Sequence, residues 1–257
     1  MTFPCGSWYA PAVATVVSPP QTKASRHTAL VRVTHWLTFV AFMALLITGA
    51  EIVISHPRFY WGETGNVNMH PLFTIPIPAS RDTVPTGYGY VMPDQNGWSR
   101  YLHFQSAWLL VLTGAVYLIA GLWTGHFRRN LWPNAGQRNL RAYTSRMGAY
   151  LRRAPPDASE VHSYNALQKA AYLSVIFVLV PLVIWTGLAL SPAFNSAFPW
   201  GVNLLGGRQS ARTLHFFVSA ALVLFLVVHV VMVAMNGFRN RMRGMITGRV
   251  TSREEQP

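Results

Sequence analysis

Four histidines of this 257-residue sequence, His35, His103, His215 and His229, fall in or beside long uncharged apolar runs. Ionisable side chains there are costly enough to mark a functional site, and neutral imidazole is a ready metal ligand. His215 and His229 are fourteen residues apart. In a helix that spacing separates them by about 21 Å along the axis, and at about 100° per residue the second returns to within about 40° of the first. One helix would then present two ligands on one face at two depths. Arg32-Val-Thr-His35, Arg100-Tyr-Leu-His103 and Arg212-Thr-Leu-His215 add a second regularity, an arginine three residues before a histidine and on the same helix face. Arginine at a helix start opposes the macrodipole, so helix propensity does not explain it. Pairing with carboxylates at the membrane surface does, although snorkelling to lipid phosphate accounts for any single one.

The elements that must carry these side chains are membrane spans. The chain is 51% hydrophobic and 11% charged, against roughly 25% charged residues in soluble domains. Crossing the hydrocarbon takes about 20 mostly apolar residues. Segments near 31–54, 103–125, 168–190 and 213–236 qualify, which predicts an all-α integral membrane protein, a four-transmembrane-helix bundle. Pro181 is tolerable in the third span because neighbours satisfy the freed carbonyl. Residues 1–26 are expected to be a flexible extension rather than a cleaved signal peptide, since they lack a basic n-region and the apolar stretch 12–17 is short. Residues 27–248 form the helical domain, with a connection at 55–102, a basic connection at 126–167 and a tail at 249–257.

The net charge of +13 would point to nucleic acid in a soluble protein. Here it sets topology instead, and no nucleic-acid partner is expected. Sixteen of the 21 lysines and arginines lie on the side of the two termini and the 126–167 connection, which makes that side cytoplasmic and the chain N-in/C-in. The stretch 131–153 reads as a basic surface helix pinned to anionic lipid. The single cysteine, Cys5, excludes an internal disulfide, a cysteine-ligated iron–sulfur cluster and a C-x-x-C-H haem attachment.

With direction assigned, depth pairs the histidines. His35 and His229 share the cytoplasmic level, His103 and His215 the outer one. Two imidazoles at each level suit the axial positions of two stacked b haems. Gly49 follows His35 by fourteen residues, and Gly114 and Gly121 share a face with His103. Small residues there let a porphyrin approach the backbone, although helix–helix packing favours them too. His56, His70, His126 and His162 fall in connections and read as surface histidines, with His126 near enough to the membrane to assist proton movement.

On these residues the chain resembles the bacterial di-haem cytochrome b561 superfamily, especially the cytochrome b (gamma) subunits of formate dehydrogenases and those of thiosulfate reductase and nickel–iron hydrogenase. The resemblance covers about 26–248 and implies the pairs His103/His215 and His35/His229. It extends to Tyr164-Asn165-Ala166-Leu167-Gln168-Lys169, similar to the Y-N-x-x-Q-K segment where that family binds menaquinone, and so implies quinone contacts at Asn165, Gln168 and Lys169. The amides of Asn165 and Gln168, at i and i+3, suit quinone oxygens, and Asn165 is equally a helix N-cap. The long 55–100 segment, rich in aromatic residues, departs from the formate dehydrogenase pattern. It looks more like cytochromes b that serve a periplasmic molybdopterin oxidoreductase of the sulfite oxidase type.

The expectation is an electron-transfer subunit in the bacterial inner membrane. It would pass electrons from a periplasmic oxidoreductase of the molybdopterin type, with or without an iron–sulfur subunit, to the quinone pool. Arg32, Arg100 and Arg212 would meet haem propionates, and Gly49 and Gly114 the porphyrin. Alternatives are the reverse direction, a stand-alone quinol oxidase, and a haem-free transporter or proton channel.

Overall fold

The computed structural model describes residues 27–66, 68–76, 98–152, 165–235 and 237–248. Four helices among them are long and apolar enough to cross a membrane. The first, α1 (Ala29–Ser55), starts where the Thr28 hydroxyl accepts from Val31 N at 3.4 Å. The second, α2 (Trp98–Trp123), runs antiparallel to it, and the third begins as α4 (Ala166–Ser174). The third then passes through a π-helical stretch, Val175–Leu179, into α5 (Val180–Ala189). Pro181 explains the stretch. It has no N–H, and its ring crowds the carbonyl four residues back, so the wider turn relieves the clash. The fourth span is α8 (Arg208–Met235).

Short elements close the bundle. After α2 come a π turn at Phe127–Leu131, a 3₁₀ turn at Ala135–Gln137 and the surface helix α3 (Leu140–Leu151). The surface helix is shorter than the 131–153 expected, because Pro133 and Gly136 interrupt it. It starts at Asn139, whose side chain accepts from Ala142 N at 2.7 Å. Two small helices, α6 (Pro192–Ala197) and α7 (Pro199–Asn203), lead into α8, and α9 (Phe238–Thr247) follows it. Arg32 donates to Ile246 O at 2.9 Å and Trp36 to Met245 O at 3.2 Å, so α1 begins against the carbonyl end of α9. This end of the bundle is the tail pole.

At the opposite cap pole, β1 (Arg58–Phe59) and β2 (Phe73–Thr74) pair antiparallel, with Arg58 opposite Thr74. Phe59 stacks on Phe73 at 4.7 Å and meets Phe216 of α8 at 4.6 Å. The free N–H groups that open any helix need partners. For α8 the cap supplies them: Gly62 O accepts from Gln209 N and Ser210 N at 3.0 and 3.2 Å, and Glu63 Oε2 from Arg208 N at 3.0 Å. Part of the expected cap is thus ordered against α8, while 77–97 lie outside the described residues.

Candidate functional site

Each of the four histidines meets a partner across the bundle. At the cap pole, His103 of α2 and His215 of α8 have ring centres 6.3 Å apart. At the tail pole, His35 of α1 and His229 of α8 are 6.4 Å apart. An imidazole nitrogen sits about 2 Å from a bound transition metal, so two imidazoles coaxial on one iron hold their ring centres ~6–6.5 Å apart. Both pairs fit that spacing. Among the described residues no three His, Cys, Asp or Glu side chains group to hold an ion by themselves. Lone pairs of histidines suit a metal that brings its other four ligands in a macrocycle.

The three glycines on the histidine faces have different surroundings. A Cβ added at Gly114 would meet nothing within 4 Å, and one at Gly49 would reach only the His103 ring, Cε1 at 3.6 Å and Nδ1 at 4.0 Å. Gly121 differs: an added Cβ would strike the Phe127 ring at 2.5 Å. That glycine makes room for a side chain of the α2–α3 connection, so packing explains it. Thr48 and Thr186, fully buried, lie at 2.9 and 3.0 Å from Nδ1 of His103 and His215. Neither was singled out from the sequence, although a signal existed: Thr-Gly recurs near the ends of spans one and three.

The three arginines are placed unequally. Arg212 donates to His56 O and lies over the Phe59 ring at 5.1 Å. Arg100 is exposed in the first turn of α2. Arg32 gives one N–H to α9, while its Nε and His35 Nδ1 are buried without a hydrogen-bonding partner among the described residues. His56, expected at the surface, is half-buried. Burial, then the charges of Arg212 and Arg100, pushes its pKa down, so it is neutral at physiological pH. His126 is also half-buried; Asn130 Nδ2 lies 2.9 Å from its Nδ1, and burial lowers its pKa. His70 is exposed as expected, and His162 lies outside the described residues.

The Asn165–Lys169 segment opens span three at the tail pole; Tyr164 lies outside the described residues. Asn165 and Gln168 form a capping box: Asn165 Oδ1 accepts from Gln168 N at 2.9 Å and Gln168 Oε1 from Asn165 N at 3.4 Å. Asn165 Nδ2 donates to the Tyr150 hydroxyl, tying α3 to α4. Asn165 thus takes the capping role that the sequence left open beside quinone contact. Lys169 turns inward, 5% exposed, with Nζ 3.1 Å from Gln137 Oε1 and 3.4 Å from Trp132 O. Gln168 is half-buried and keeps its amide N–H donors outside the capping box.

A putative protein-methionine-sulfoxide reductase subunit, YedZ1, of Azospira oryzae is 34% identical over 209 residues, 81% of this chain and 90% of that protein. No solved structure gives a significant match. The family model for prokaryotic cytochrome b561 matches residues 26–248, a stretch that holds all four spans and both histidine pairs. The chain therefore belongs to the prokaryotic cytochrome b561 family, whose members bind haem b, and is a multi-pass electron-transport protein of the bacterial inner membrane.

Proposed function

We propose that the chain is the membrane subunit of a quinone-linked oxidoreductase complex, carrying electrons between the quinone pool and a periplasmic molybdopterin-type enzyme. His103 and His215 would hold one haem b at the cap pole, and His35 and His229 a second at the tail pole. The observation that carries this reading is the pair of ring-centre separations, 6.3 and 6.4 Å, at two depths on one helix. Bound there, haem supplies a one-electron couple at each level. The protein's part is to hold the four imidazoles, to keep water from them with apolar helix faces, and to present polar groups at each pole.

The cap pole would face the periplasm, as the distribution of lysine and arginine implies. Seated on α8, the 57–76 segment would offer the docking partner an exposed apolar surface at Trp61, Met69 and Leu72. The named role of the Azospira relative in a methionine-sulfoxide reductase favours flow from quinol to the periplasmic enzyme, the reverse of the direction first expected from sequence. At the tail pole, Gln168, whose amide N–H donors have no partner among the described residues, would make the quinone contact. Asn165 and Lys169 would support the site by fixing the helix start and the neighbouring connection.

The test is reduction of the purified protein by a quinol analogue, followed at the haem absorption bands over a range of quinol concentrations. Wild type should be reduced with saturation. Gln168→Leu should need several-fold to about tenfold more quinol at unchanged haem content, since a hydrogen bond contributes about 0.5–1.5 kcal/mol. A protein that carries haem but is not reduced by quinol would refute the quinone link. Wild-type kinetics in Gln168→Leu would move the contact elsewhere.

A further inference from the structure

The cap-pole histidines are seated alike on two different helices. His103 of α2 rests on Thr48-Gly49 of α1, and His215 of α8 rests on Thr186-Gly187 of α5. In each case the threonine Oγ1 lies within hydrogen-bonding distance of Nδ1, and the glycine lies beside Cε1 of the same ring. A Cβ at Gly49 would come 3.6 Å from His103 Cε1, and one at Gly187 would come 3.2 Å from His215 Cε1. The glycine admits the ring edge; the threonine holds it.

The direction of the hydrogen bond follows from counting protons. A hydroxyl has one. Thr48 Oγ1 lies 2.7 Å from Ala44 O, and Thr186 Oγ1 lies 2.8 Å from Leu182 O. A carbonyl cannot donate, so each hydroxyl proton goes to the carbonyl and each Oγ1 accepts from its imidazole. Both histidines are therefore Nδ1–H tautomers with the Nε2 lone pair free. The tail pole lacks this arrangement, since His35 Nδ1 is buried without a hydrogen-bonding partner among the described residues.

We infer that Thr48-Gly49 and Thr186-Gly187 are positioning elements that set the tautomer, orientation and ligand strength of His103 and His215. The inference deepens the proposed function and rests on its assignment of these two histidines to one haem. An imidazole that donates from its far nitrogen is a more basic ligand, which favours the ferric state and lowers the reduction potential. Hydrogen bonding around the ligands is one of the means by which a protein tunes haem. A haem held by these two histidines would thus have a hydrogen bond behind each ligand.

The test uses the purified holoprotein, with haem content, a potentiometric titration and the low-spin ferric EPR signals. The variants are Thr48→Val and Thr186→Val, of similar shape but without the hydroxyl, and Thr48→Ser and Thr186→Ser, which keep it. Each valine variant should raise the ferrous-to-ferric ratio of one haem about three- to tenfold at fixed potential, an upward shift of roughly 30–60 mV for a one-electron couple. The same haem should be the one lost in His103→Ala, and its EPR signal should move. The serine variants should match wild type. A valine variant that sheds that haem while its serine counterpart keeps it supports the same role. Unchanged potential and EPR signal, a shift in the other haem, or equal effects of serine and valine would overturn the inference. If His103→Ala itself leaves both haems bound, the ligand assignment beneath it falls as well; unchanged valine variants beside a depleted His103→Ala overturn this inference alone.

Discussion

His103→Ala should remove one haem and spare the other, and His35→Ala should do the converse. The reason lies in how the pairs are built. Both draw one imidazole from α8, but the second comes from α2 at the cap pole and from α1 at the tail pole. Fourteen residues of α8, about 21 Å of helix, separate His215 from His229, so loss of one imidazole leaves the other level intact. Haem content should fall by about half in each single variant, and the surviving spectral component should differ between them. Loss of the same component from both variants would contradict the pairing.

Gly207→Ala should unseat the cap and cost roughly 2–4 kcal/mol. Gly207 has φ +105°, and a Cβ there would lie 2.7 Å from Glu63 N and from the carbonyl carbon and oxygen of Gly62. The left-handed region costs a residue with a Cβ about 1–2 kcal/mol. Backbone atoms, unlike the end of a side chain, cannot swing aside. Relief of the contact pulls Gly62 and Glu63 away from α8, and with them the bonds to Arg208 N, Gln209 N and Ser210 N, each contributing about 0.5–1.5 kcal/mol. Gly206→Ala is the control: φ is +82°, and the nearest atom, Ser210 Oγ at 3.2 Å, belongs to a side chain. Haem retention on heating in detergent and trypsin cleavage after Arg58 report the effect. Equal behaviour of the two variants would show that the cap does not depend on this close approach.

The spans were legible because hydropathy dominates in a membrane helix. Their starts were less so. The second begins at Trp98 rather than 103, and the fourth at Arg208 rather than 213. Both continue as helix through polar interfacial turns that an apolar run does not include. The histidine pairing was legible from depth, since a fourteen-residue spacing and the up-and-down order of spans fix which rings share a level. The support beneath the histidines was not. A threonine in an apolar run has no preferred partner until the neighbouring helix is placed, and only the repeat of Thr-Gly hints at one. Gly121 shows the converse, a glycine on the expected face whose space is taken by Phe127. At Asn165 and Gln168 the same residue types suit a helix start and a quinone oxygen alike, and spacing does not separate the two; the structure shows the first, a capping box.

The most direct test of the account is the haem stoichiometry of the purified protein together with its ferric EPR spectrum. The expected result is two non-covalent b haems per chain, both low-spin with two histidine ligands. One haem per chain, or a high-spin centre open on one side in the intact wild type, would contradict it.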